Sequence, residues 1–211
     1  MGTASTPRLL ALHTLRLRGV AEAEEIAEYM DADLEAIRAE LARLESEDLV
    51  RYRRGRIGGY AHTPEGRAVG ERLLAAELDE HGLRPRIEAA YEEFLTFNRQ
   101  LLTVCTAWQL RTVDGQSVPN DHRDAAHDET VLDALVSLDQ RVQPVLAALV
   151  EALDRFAGHQ RRLRYALDRV LAGEHDWLTR PMFPSYHSVW FELHEDLLAT
   201  LGRDRTTEGS P

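Results

Sequence analysis

From Arg86 to Asp114 the chain contains neither glycine nor proline, and its apolar residues there fall into one stripe: Ile87, Tyr91, Phe94, Asn98, Leu101, Cys105 and Trp108, at steps of four and three. Steps of three and four bring side chains onto one face only in a helix, because a strand alternates with period two. A helix this long has to bury its stripe against other helices, so the stretch is a bundle seam or a dimer seam. The rest of the C-terminal two thirds reads the same way. Residues 113–127 are polar, contain Gly115 and Pro119, and read as a loop. A helix follows over 128–156, kinked or split at Pro144, because proline lacks the backbone donor. Further helices are expected over 160–171 and 185–201, with an irregular stretch at 173–184 and a polar, disordered tail after Gly202.

At 211 residues the chain is long enough for two small domains, each with its own core. The expected division is 1–82, 83–202 and the tail 203–211. No apolar run reaches the length of a membrane span, and Met1 to Arg8 lacks the regions of a secretory signal, which points to a cytoplasmic protein away from membranes. Cys105 is the only cysteine, so the fold holds no internal disulfide and no cysteine-rich zinc site.

The N-terminal part has a different rhythm. Leucines at 9, 10, 12, 15 and 17 suit a first helix ended by Gly19, and a short second helix fits 22–30. The polar break at 31–33 supplies an aspartate cap for a third helix that buries Leu34, Ile37, Leu41 and Leu44. After it, residues 49–53 alternate like a strand, Arg54, Gly55 and Arg56 form a turn, and 57–62 can return as the partner strand. Thr63 and Pro64 cap and open the next helix, which runs toward His81. The expected fold class is therefore mainly α: an N-terminal winged helix-turn-helix with a small β-hairpin wing, then an α-helical bundle domain.

Residues 41–45 (Leu-Ala-Arg-Leu-Glu), Leu49 and Val50, the hairpin through Gly55 and Gly59, and Thr63-Pro64-Glu65-Gly66-Arg67 together resemble the winged-helix domain of MarR-type and related bacterial regulators. The likeness covers roughly residues 8–75. It departs from the family at Asp48, where such regulators commonly have glycine between recognition helix and wing. What the resemblance implies is a DNA-binding transcriptional regulator, with double-stranded DNA as partner and the third helix as recognition helix.

The net charge of −11 excludes binding to nucleic acid through bulk electrostatics, since phosphate affinity needs local positive charge. Four of the nine arginines in residues 1–66 lie between Arg51 and Arg56, on the hairpin. Like charges crowded on a tight turn repel one another, and phosphate contact relieves that cost. The expected DNA-binding residues are Arg38, Arg43 and Ser46 on the recognition helix and Arg51, Arg53, Arg54 and Arg56 on the wing. Arg43 and Arg38 can reach guanine edges or phosphates, and Ser46 a phosphate. An acidic chain with a weakly basic recognition helix leaves a second reading open, a winged-helix protein-interaction module that does not bind DNA.

In the helical part, Asn98 interrupts an apolar stripe, Trp108 ends the long helix, and His187 and Trp190 lie on a last helix that is apolar around most of its circumference. Polar groups on buried faces need partners, so Asn98, Trp108, His187 and Trp190 are the expected lining of a small-molecule effector site in a domain that also forms a homodimer. His187 and His194 are two turns apart, roughly 10 Å, too far to share one ion directly, and no metal or cofactor is expected. The pair His127-Asp128 reads as a helix end cap. There is no Gly-x-Ser-x-Gly elbow, phosphate-binding glycine loop or dinucleotide fingerprint, so no enzyme is expected.

Overall fold

The computed structural model describes residues 2–56 and 58–203 and is mainly helical. Ile57 and the tail from 204 lie outside the described residues. No described helix is long and apolar enough to cross a membrane. The described residues divide into two compact units, residues 2–88 with 150–158 and 194–203, and residues 89–149 with 159–193.

The first unit opens with α1 (Pro7–Arg18), α2 (Ala23–Met30) and α3 (Leu34–Ser46). Each start has a local cause. Thr6 accepts from the Leu9 amide with Pro7 in the first turn, Glu22 and Glu25 form a reciprocal capping box, and the Asp33 carboxylate accepts from the Ala36 amide at 2.7 Å. Leu12, Leu15, Ile26, Ile37, Leu41 and Leu44 meet in one core, with Leu49 and Val50 sealing it. Strands β1 (Val50–Arg53) and β2 (Gly59–His62) pair antiparallel, from Val50 opposite His62 to Arg53 opposite Gly59. Helix α4 (Pro64–Glu80) follows at once. Its junction explains the Thr-Pro-Glu-Gly run. Thr63 Oγ1 donates to the Asp48 carbonyl at 2.9 Å and accepts from the Gly66 amide at 3.1 Å, drawing α4 so close to β1 that a Cβ at Gly66 would lie 1.8 Å from the Leu49 carbonyl oxygen.

Helix α5 (Arg84–Gln109) runs through both units, and every apolar residue of its stripe is buried within the chain. It stops at Gln109 because the chain turns into a second hairpin, β3 (Leu110–Val113) with β4 (Gln116–Pro119). The expectation that 113–127 is a loop is corrected here. The cause is Asp114-Gly115, whose φ values of 49° and 77° make a two-residue hairpin turn with both central residues left-handed. Helix α6 (Ala125–Ala152) is a single element through Pro144, so the split allowed for there does not occur. Pro144 faces solvent, while Val142, Val145, Leu146 and Leu149 bury the opposite face and carry the helix across the missing bond. A single 3₁₀ turn at Asp154–Phe156 leads into α7 (Ala157–Leu171); the short α8 (Asp176–Thr179) sits within the stretch expected to be irregular, and α9 (Tyr186–Leu201) ends the fold.

In the second unit buried aromatic rings pack among aliphatic side chains. Phe94 stacks on Trp190 at 4.8 Å between ring centroids, and Tyr186 donates its hydroxyl to Asp139 at 3.0 Å. Burial and the Asp139 charge hold the Tyr186 hydroxyl protonated well above its ordinary range.

Candidate nucleic-acid interface

The hairpin β1–β2 is anchored at the rung where Tyr52 faces Tyr60. Tyr60 exchanges both backbone hydrogen bonds with Ala21, at 2.9 and 3.1 Å, so the segment between α1 and α2 acts as a third strand edge. Gly59 makes that approach possible, with φ of 134° and a virtual Cβ only 2.8 Å from the Ala21 carbonyl carbon. On the other strand Tyr52 packs edge-on to Tyr60 at 5.1 Å and donates its hydroxyl to Glu22 at 2.7 Å. The hydrogen bond to that carboxylate, with burial adding to it, pushes the Tyr52 hydroxyl above its ordinary value. Asp48 enters the hairpin at φ 58°, the left-handed conformation that glycine adopts most cheaply. An aspartate therefore does the turning here, and its carboxylate also takes a bidentate hydrogen bond from Arg51 at 3.1 and 3.2 Å. That pairing holds the Asp48 carboxyl below its ordinary range.

The seven expected DNA-contact residues are not equivalent in the structure. Arg38 is clamped by Glu24 and by Glu35, the latter at 2.7 Å, and both hydrogen bonds raise its guanidinium pKa. Arg51 is spent on Asp48. Ser46 folds back to donate to the Arg43 carbonyl at 2.7 Å. Arg43 is 73% exposed with one long contact to Glu40 at 3.4 Å, so its reach is kept. Arg53, Arg54 and Arg56 are exposed at the tip, and none of them has an ion pair or hydrogen bond through its side chain among the described residues. Their charge is therefore available to a partner.

The four expected effector residues separate into two places. Asn98 and Trp190 meet directly, the indole Nε1 donating to Asn98 Oδ1 at 3.0 Å. Half-buried His187 has its pKa lowered by burial. Trp108 belongs elsewhere, in a corner with His122 and His175, its ring 4.5 and 5.2 Å from theirs. That corner was not read from the sequence. Asn120 donates to the Trp108 carbonyl at 3.1 Å and to Asp128 Oδ1 at 2.8 Å, and His122 Nδ1 lies 3.0 Å from Asp128 Oδ2. These contacts hold His122 at φ 56° over a cavity of about 410 Å³ that Trp108, His122, His175 and Arg180 line. Burial alone would raise the Asp128 carboxyl, but the hydrogen bonds from Asn120 and His122 outweigh it and hold the group below its ordinary value. The end cap expected at Asp128 falls instead to Asp124, which accepts from the His127 amide at 3.2 Å, because α6 starts three residues earlier. The run Asn120-Asp121-His122 was the available signal, since Asn and His tolerate the left-handed backbone that a tight turn needs. Among the described residues no three His, Cys, Asp or Glu side chains are placed to hold a metal ion.

Comparison of the chain with protein-family models, with curated proteins and with solved structures finds no match.

Proposed function

We propose that residues 6–80 form a winged helix-turn-helix that binds double-stranded DNA, and that the protein is a transcriptional regulator. The observation that carries the reading is the pairing of an uncompensated arginine tip, Arg53, Arg54 and Arg56, with a hairpin tied to Ala21 and Glu22 at the start of α2. Positive charge on a stiff projection is what phosphate contact in or beside a minor groove requires. Arg43 is the residue of α3 best placed to read a base. Arg38 has to leave two carboxylates before it can contribute. The protein acts as a homodimer in this reading, with the helical domain binding a small-molecule effector that shifts affinity by preferring one of two wing spacings.

Replacing Arg53, Arg54 and Arg56 together with alanine is expected to weaken retardation of every duplex in a gel-shift titration. Equal retardation by wild type and variant rejects the wing as the contact. One observation favours a second reading, in which α2 and α3 dock a basic protein and DNA is not bound: Glu24, Glu25, Glu28, Glu35 and Glu45 outnumber Arg38 and Arg43 on the exposed face. A wild-type chain that retards no duplex at low salt would select it.

A further inference from the structure

Beside the turn between α2 and α3 lies a cavity of about 490 Å³ within the first unit. Its walls are hydrocarbon, from Leu10, Met30, Ile37 and Val150, and its rim carries the carboxylates of Asp33 and Asp154, with Asp31 beside them already engaged in an interaction of its own. Among the described residues that line it, Arg155 is the one cation. Its charge is already engaged, with Glu77 at 2.5 Å and Asp196 at 3.9 Å, neither of which lines the cavity. The space is of the size that takes a small organic molecule, and the opening is negative. An anion of any shape meets the carboxylates there, whereas a cation with an apolar body gains both from the walls and from the rim.

We propose that this cavity binds an organic cation with a bulky apolar body, and that α3 registers its presence. The second half rests on the DNA-binding reading; the first does not. The link runs through Asp33. Its carboxylate caps α3 by accepting from the Ala36 amide at 2.7 Å, and a cation at the rim competes for the same oxygens. Drawing Asp33 outward uncaps the first turn of α3, the turn that carries Glu35 and leads to Arg38. The cation is then expected to lower DNA affinity.

The test uses two ions of one shape and opposite charge, tetraphenylphosphonium and tetraphenylborate, titrated calorimetrically into the full chain without DNA. Tetraphenylphosphonium is expected to bind and tetraphenylborate is not. The double variant Asp33→Asn/Asp154→Asn keeps an amide oxygen to cap α3, and its thermal melt checks that the fold is kept; its affinity for the phosphonium is expected to fall at least tenfold. Ala36→Leu, which fills the cavity from α3, is expected to abolish binding. Comparable binding of the borate, or unchanged affinity in the double variant, overturns the site. Because these titrations contain no DNA, a wild-type chain that never retards a duplex rejects the function proposed above and leaves the site to be decided on its own. Phosphonium binding that leaves duplex retardation unchanged overturns the link to α3.

Discussion

Arg155 carries a full charge where no water reaches, with its side chain 0% exposed. Its Nη1 donates to Glu77 at 2.5 Å and its Nη2 to Thr200 at 2.8 Å, while Asp196, 3.9 Å from its Nε, also meets His13 Nε2 at 2.7 Å. Removing the cation takes from the buried Glu77 carboxylate the guanidinium that pairs with it, while Asp196 keeps His13 and Thr200, so Arg155→Met is expected to cost about 3–5 kcal/mol, read as a lowered urea midpoint. A midpoint within error of wild type contradicts that role. Cys105 makes the opposite case, a group kept neutral: burial pushes its thiol up to about 12. Labelling by a thiol reagent at neutral pH should therefore be slow and should accelerate with urea as the unit opens. Asp128 supplies the pH dependence. Its folded pKa lies below the unfolded value, so its contribution is complete above the unfolded pKa of about 4 and is lost as pH falls through the folded one. An acid titration followed at the Trp108 indole resonance should show the corner loosening, and Asp128→Asn should remove that step.

At the scale of the elements, two glycines test two kinds of constraint. Gly115 has φ of 77° with open space around its Cα, so Gly115→Ala meets only backbone strain, about 1–2 kcal/mol, confined to the β3–β4 hairpin. Gly66→Ala places a carbon 1.8 Å from the Leu49 carbonyl oxygen and has to push α4 off β1. Its thermal melt is expected to fall well below that of Gly115→Ala. These junctions also show what the sequence made legible. Caps, stripes and the first hairpin are local signals, and each was readable from a handful of neighbouring residues. The second hairpin was readable as well, since Asp-Gly between alternating residues is a strong turn signal, but the polar stretch around it favoured a loop. The continuity of α6 through Pro144 was not legible, because it depends on burial along 142–149 that no local pattern displays. The corner at His122 was hidden for the same reason: Trp108, Asp128 and His175 are brought together only by the fold. Of the candidate interface, the hairpin arginines were evident, while the clamping of Arg38 by Glu24 and Glu35 joins two helices and appears only in three dimensions.

For the molecule as a whole, the deciding quantity is a net charge of −11 set against three uncompensated arginines on one tip. A chain so acidic is repelled by DNA at long range, so any attraction has to be short-range and carried by few contacts. Each phosphate neutralised releases a counterion, and the slope of log affinity against log salt is about −0.9 per contact on duplex DNA. Alanine at Arg53, Arg54 and Arg56 should therefore flatten that slope by about 2.7 if each touches one phosphate. Arg43→Ala differs in kind: if its side chain reads a base, affinity for the preferred site falls by about 1–3 kcal/mol while the affinity for random sequence and the salt slope hold. Fluorescence anisotropy on one preferred and one scrambled duplex, from low to moderate salt, separates the two. A triple variant that keeps the wild-type slope moves the phosphate contacts off the wing. A loss on Arg43→Ala that is equal for both duplexes makes that residue another phosphate contact, leaving the wing's shape to supply whatever preference remains.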